Sequence, residues 1–199
     1  GQIEFVGQGS LAVTGNKAHA FCSDDYISVS EGVITVTKAV TDGIHANDYF
    51  LMNGGTLNIA STGDGVDCEE GYITLNGGVL GITTSGDKGN ALSSEGNTTI
   101  NNSSPIILKV SGRASKGIKT GGDLIVENAS VTITTSGAAY YDTADSDIAA
   151  ASGVNCDGNM TFSAGSMTIN STGKAGKGMT IDGSLNVNGG VLDITTTGS

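Results

Sequence analysis

Apolar and polar residues alternate along this chain in short runs, and the runs come in pairs. Phe50 and Met52 make one run and Leu57 and Ile59 the next, with Asn53-Gly54-Gly55 between them. The arrangement returns at Ile73, Leu75, Leu80 and Ile82 around Asn76-Gly77-Gly78. It returns again at Leu185, Val187, Leu192 and Ile194 around Asn188-Gly189-Gly190. Alternation with a period of two over four to six residues is the mark of a half-buried strand. No stretch carries a sustained helical period. Aligned on the glycine that opens each unit, the copies start at Ala20, Gly43, Gly65, Asn90, Gly117, Gly153 and Gly178, spaced by 23, 22, 25, 27, 36 and 25 residues. Ile3 to Val13 resembles most of one earlier copy.

Repeating strands this short suit a parallel β-helix in which each copy makes one coil and each strand pairs with its equivalent one coil above, about 4.8 Å away. Ile, Leu, Val, Met and Phe then point inward, and Thr, Ser, Asn and Asp point outward. A propeller needs blades of about 40 residues with four strands each, and a leucine-rich repeat needs a Leu consensus that is absent. The reading is an all-β, single-stranded, right-handed parallel β-helix of about seven to eight coils. It forms one elongated domain over residues 1–199, roughly 35–40 Å long at this rise, with an inserted loop at about 138–152. The single Pro among 32 Gly agrees, since its turns must be built from Gly and Asn.

The formal net charge of −11, with only nine Lys and Arg, argues against nucleic acid and anionic membrane surfaces and favours cations. No apolar run approaches the roughly 20 residues of a membrane span. Behind Ile194 there is no polar cap, so further domains of a longer chain or a covering partner are expected at that end. Cys68 and Cys156 take the same place in coils three apart, roughly 14 Å, and Cys22 lies two coils below Cys68. Bonded cysteines need Cα atoms within about 7 Å, so three free, mostly buried thiols are expected.

Registering the coils turns sequence positions into columns. Tyr26, Tyr49 and Tyr72 each precede the first inward residue of a strand and should form an outward aromatic ladder, structural, ligand-contacting or both, continued by Asn97 or Thr98, Asp123, Asn159 and Ser184. In a chain without Trp, these rings are the best platform for a sugar. Beside them Asp25, Asp48 and Glu70 should stack. Asp42, Asp64 and Asp67 crowd the turns into neighbouring coils. Hard oxygen donors from several turns suit Ca²⁺, and solvated acidic turns are the alternative. The copy opened by Gly117 is about 12 residues longer than its neighbours, and solenoid insertions become loops on one face. This one carries Tyr140, Tyr141, Asp142, Asp145 and Asp147, candidates for binding sugar, Ca²⁺ or both, with a plain decorative loop as the alternative. His45, Asp67, Lys119, Asn155 and Thr180 share a column, while His19 lies elsewhere. No Ser-His-Asp or Cys-His constellation can be assembled.

The phrases Asp42-Gly43-Ile44-His45-Ala46, Asn53-Gly54-Gly55-Thr56-Leu57-Asn58-Ile59, Gly63-Asp64-Gly65-Val66-Asp67 and Lys116-Gly117-Ile118-Lys119 resemble bacterial carbohydrate-binding domain-containing β-helix proteins. These are similar in fold to pectate and other polysaccharide lyases. The resemblance implies an extracellular or cell-surface module that binds plant-type or acidic, uronate-containing polysaccharide with the help of Ca²⁺. The calcium role would fall to Asp42, Asp64 and Asp67, and to Asp25, Asp48 and Glu70. The coils from Asn90 and Gly153 lack the Gly-Asp turn. Two alternatives stay open. One is a surface adhesin or stalk without a small ligand. The other is a calcium-dependent lyase using Arg113 or Lys119 as base, disfavoured because neither lies within one coil of the acidic cluster.

Overall fold

A computed structural model of the chain describes residues 1–144 and 146–199; Asp145, counted above among the acids of the insertion, lies outside the described residues. The chain winds as an all-β parallel solenoid of about eight turns. The two strands expected per copy are both present, as in Tyr49–Met52 and Thr56–Ser61. A third strand, of three residues in the earlier turns, follows each opening residue. It includes Phe21–Ser23, Ile44–Ala46, Val66–Cys68 and Leu92–Ser94. Three residues are too few to show a period, so this face was invisible as a strand in the sequence. With Lys116–Thr120, Ser152–Cys156 and Lys177–Ile181 it stacks into a seven-stranded parallel sheet, here called the short face.

The other two faces form one 14-stranded sheet because two turns lose a corner. In five other turns the corner is built on a left-handed glycine, at Gly32, Gly55, Gly78, Gly165 and Gly190. Residues with a Cβ rarely take that conformation. The chain instead runs on as long strands, Thr98–Val110 and Leu124–Thr135. The register between them slips at Ile100/Asn101 and at Asn102/Pro105. Asn102 is buried at this bend, and its amide donates to the Gly78 carbonyl at 2.8 Å.

The register of the short face corrects one repeat boundary. Leu92 pairs with Val66 below and Ile118 above, so the fourth copy opens at Ala91 rather than Asn90. Inside, like residues stack on like. Ile27, Phe50 and Ile73 form one column, Ile34, Leu57 and Leu80 a second, and Ile44, Val66 and Leu92 a third, all buried. Burying these side chains supplies the main driving force, roughly 1.5–3 kcal/mol for each large residue. Where the chain closes a turn, the main chains come too close for any side chain. A Cβ on Gly112 would lie 1.7 Å from the Gly86 carbonyl oxygen, and Gly137, Gly173 and Gly198 repeat that contact on the turns above.

All three cysteines are free. Cys68 and Cys156 share an inward column and are buried, and burial pushes the Cys68 thiol up to about 12. Cys22 departs from the expected burial. It sits in an outward position beneath His45 and is exposed.

Two outcomes are expected. Gly112→Ala should lower the free energy of unfolding by roughly 3 kcal/mol, measured by denaturant titration. A thiol reagent should modify Cys22 alone in the native protein and all three cysteines after unfolding.

Candidate functional site

The short face gathers most of the chemistry in the molecule. Its strands are so short that one side chain per turn points outward. Those side chains form the column Cys22, His45, Asp67, Ser93, Lys119, Asn155 and Thr180. One edge of the face is lined by the residues just before each opening position, the other by the tyrosine column.

On the first edge, His19, Asp42, Asp64 and Asn90 follow one another up the solenoid. Asp42 Oδ1 accepts the Asp64 amide at 2.6 Å, Asp64 Oδ1 accepts the Asn90 amide at 2.6 Å, and Asn90 Oδ1 accepts the Lys116 amide at 2.9 Å. Each side chain thus satisfies a main-chain donor on the next turn, which buried backbone requires. Burial, with Asp67 and Asp42 close by, pushes the Asp64 carboxyl up to about 7, against the pull of its Asn90 hydrogen bonds. Asp67 is raised as well, mainly by burial. His19 belongs to this edge. Its ring stacks on that of His45 with centroids 4.7 Å apart, and its Nδ1 lies 2.9 Å from Asp42 Oδ2. The signal was present in the sequence, since His19 immediately precedes Ala20 as Asp42 precedes Gly43.

The carboxylates of this edge are already engaged within the fold. Ca²⁺ takes six to eight oxygens at about 2.3–2.6 Å. Here Asp42 Oδ1 and Asp64 Oδ1 cap main-chain amides, and the Oδ2 atoms of Asp42 and Asp67 face imidazole nitrogens at 2.9 and 3.0 Å. The other acidic trio is not a continuous column. Tyr72 pairs with Tyr49, which sets Gly71, not Glu70, opposite Asp48. A Cβ on residue 71 would lie 1.3 Å from the Asp48 carbonyl oxygen, so the glycine is obligatory and Glu70 is squeezed out of line as an extra residue. Asp25 and Asp48 do lie in register on neighbouring turns, and the Asp25 carboxylate also lies 3.2 Å from the Gly1 amino group.

The tyrosines on the second edge stack as expected, with centroids 4.6 Å apart and planes at 5° between Tyr26 and Tyr49, and 5.0 Å and 8° between Tyr49 and Tyr72. Rings this close and this parallel lie face against face. The ladder is therefore not a broad flat platform, because Tyr49 is covered on both sides. Tyr26 is further tied down by donating to Glu4 Oε1 at 2.6 Å. Tyr72 ends the stack. It is 45 % exposed, and beyond it lies an open hollow of about 460 Å³ lined by Glu70, Gly71, Tyr72, Gly96, Asn97 and Thr99. Past Tyr72 the column changes chemistry. Asn97, Asp123 and Asn159 accept the amides of Asp123, Asn159 and Ser184 in turn, a second capping ladder.

The insertion forms an antiparallel hairpin of Tyr140–Asp142 with Asp147–Ala149, anchored beside the first edge. Lys88 binds Asp142 at 2.5 Å, and the Arg113 guanidinium lies 4.8 Å over the Tyr140 ring. Tyr140 is thereby committed to packing, whereas Tyr141 is exposed. Next to the hairpin a second hollow, about 300 Å³, is lined by Lys88, Asn90, Ala114, Lys116, Lys119 and Ala149. Lys116 Nζ donates to the carbonyls of Ala114 and Ala150. Its own burial, reinforced by Lys177, Lys119 and Lys88, lowers it to about 8. Three of nine basic residues thus line one small hollow in a strongly acidic chain. Of the two candidate bases, Arg113 is bound through both Nε and Nη2 to Asp87, and Lys119 pairs with Glu95 at 3.2 Å.

The stacked parallel sheets define the class of the protein, a β-helix with a polar, aromatic-edged short face. A family model described as carbohydrate-binding domain-containing protein matches residues 1–199, and the chain belongs to that family. Comparison with curated proteins and with solved structures gave no match.

Lys116 carries a pH signature. Its folded pKa lies below the ordinary 10.5, so the stability it contributes is present above about 10.5 and is lost as pH falls through about 8. Lys116→Met should flatten this dependence between those two values, read from unfolding midpoints across the range.

Proposed function

We propose that this carbohydrate-binding module holds a polysaccharide against the short face, with Tyr72 as its stacking residue. The observation that carries the reading is the uncovered face of Tyr72 at the end of the ladder, opening onto a hollow edged by Glu70, Asn97 and Thr99. Sugars present C–H faces that pack on aromatic rings and hydroxyls that pair with carboxylates, amides and hydroxyls. Both kinds of partner meet at this hollow.

The lysine hollow supports an acidic sugar in particular. It borders the opposite edge of the same turn, with Asn90 on its wall and Asn97 on the wall of the tyrosine hollow. Lys119, on the wall of the lysine hollow, pairs with Glu95. A chain crossing the short face would place a uronate carboxylate near Lys88, Lys116 and Lys119 while another ring rests on Tyr72. A uronate here would compete with Asp142 for Lys88 and with Glu95 for Lys119, lysines already paired within the fold. A polysaccharide partner also implies work outside the cytoplasm, at the cell surface or beyond it.

Tyr72→Ala should weaken binding of an oligogalacturonate by about tenfold, the value of a lost aromatic contact of about 1.4 kcal/mol. Tyr26→Phe should leave binding unchanged. Titration calorimetry against oligogalacturonates and neutral cello-oligosaccharides would check both. Equal affinity in wild type and Tyr72→Ala would remove the stacking role, and preference for the neutral sugar would remove the role of the lysines.

A further inference from the structure

The geometry points to a binding site for a borderline divalent transition ion, of the Zn²⁺ type, held by His19 Nδ1, His45 Nδ1 and Asp42 Oδ2 at the lower end of the short face. It is independent of the sugar reading. One candidate ligand atom from each of the three residues lies within 4.8 Å of the other two. Asp42 Oδ2 is 2.9 Å from His19 Nδ1 and 4.0 Å from His45 Nδ1. Around a tetrahedral ion with ligands at about 2.0–2.1 Å, donor atoms stand roughly 3.4 Å apart, so the observed separations straddle the required one.

Three features of the fold favour this use. The solenoid sets His19 one turn below Asp42 and stacks its ring on that of His45, so both Nδ1 atoms approach one carboxylate. Asp42 is oriented by the Asp64 amide through Oδ1, which leaves Oδ2 turned to the imidazoles. Such a hydrogen bond behind a ligand is what holds metal-binding carboxylates in place. The neighbourhood is also rich in negative charge. Asp67 and Glu69 both contact His45, and among the described residues the recorded ion pairs of Asp42 and Asp67 are all with histidine. A set with two imidazole nitrogens suits Zn²⁺, Cu²⁺ or Ni²⁺ and is foreign to Ca²⁺, which prefers oxygen alone.

The test is titration calorimetry of the untagged full chain with Zn²⁺ at neutral pH, repeated with Ca²⁺. The variants are His19→Ala, His45→Ala and Cys22→Ser, the last because that exposed thiol lies beside His45. Co²⁺ substitution adds a visible spectrum that reports tetrahedral nitrogen and oxygen ligation. The expected result is one Zn²⁺ per chain with micromolar or tighter affinity, undisturbed by excess Ca²⁺ and by Cys22→Ser. Each histidine change should weaken it by more than the roughly 10- to 100-fold that loss of a supporting hydrogen bond costs. His19→Gln and His45→Gln replace any alanine variant whose melt shows it unfolded. Absence of saturable Zn²⁺ binding would overturn the site. So would binding that survives both histidine changes, depends on Cys22, or yields to Ca²⁺ at equal concentration.

Discussion

Each turn of this solenoid hydrogen-bonds along its main chain to the same positions of the turn above and below, and that constraint governs every other feature. It forces a residue to share its surroundings with residues 22 to 36 positions away in sequence. Apolar residues then stack into a continuous core, and glycines must recur wherever the main chains approach within contact, as at Gly86, Gly112 and Gly137. Outward residues are gathered into columns as strictly as inward ones. A side chain is therefore never placed alone. Its chemistry is set by what stands one turn below and one turn above.

Two kinds of column result on the short face. In the capping ladders through Asp42, Asp64 and Asn90 and through Asn97, Asp123 and Asn159, a side-chain oxygen takes the amide of the next turn. These ladders are structural, since each oxygen satisfies a main-chain donor of the next turn. The other kind ends abruptly and leaves a surface with no partner of its own type. Tyr72 is such an end, since the next residue in its column is Asn97. His19 and His45 converge on one carboxylate in a similar break, where the acids of the turns meet imidazole. Where a ladder changes residue type, the last side chain of one kind has a face that no like partner covers.

Much of this was legible in the sequence. The alternation around Asn-Gly-Gly turns gave away two of the three faces, and the tyrosine ladder followed because each ring immediately precedes a core residue. What escaped was governed by single-residue irregularities. Gly71 adds a position between aligned strands, so Glu70 left the column that simple counting assigned it. Asn90 took the place of an opening glycine although Ala91 holds it. The corner lost near Asn102 could be seen only as a missing glycine. The hairpin that brings Lys88 and Asp142 together depends on long-range pairing that no repeat encodes. Stacking geometry was also beyond the sequence. Column membership said that three tyrosines lie together, but not that their faces would cover one another and leave Tyr72 as the open end.

The central claim is that a sugar meets this protein at the end of the tyrosine stack. Ring resonances of the five tyrosines, followed by NMR as an acidic oligosaccharide is added, test it most directly. The account predicts large, saturable shifts for Tyr72, small ones for Tyr49, and none for Tyr26 and Tyr141. Shifts centred on Tyr141, or spread evenly over the whole ladder, would contradict it.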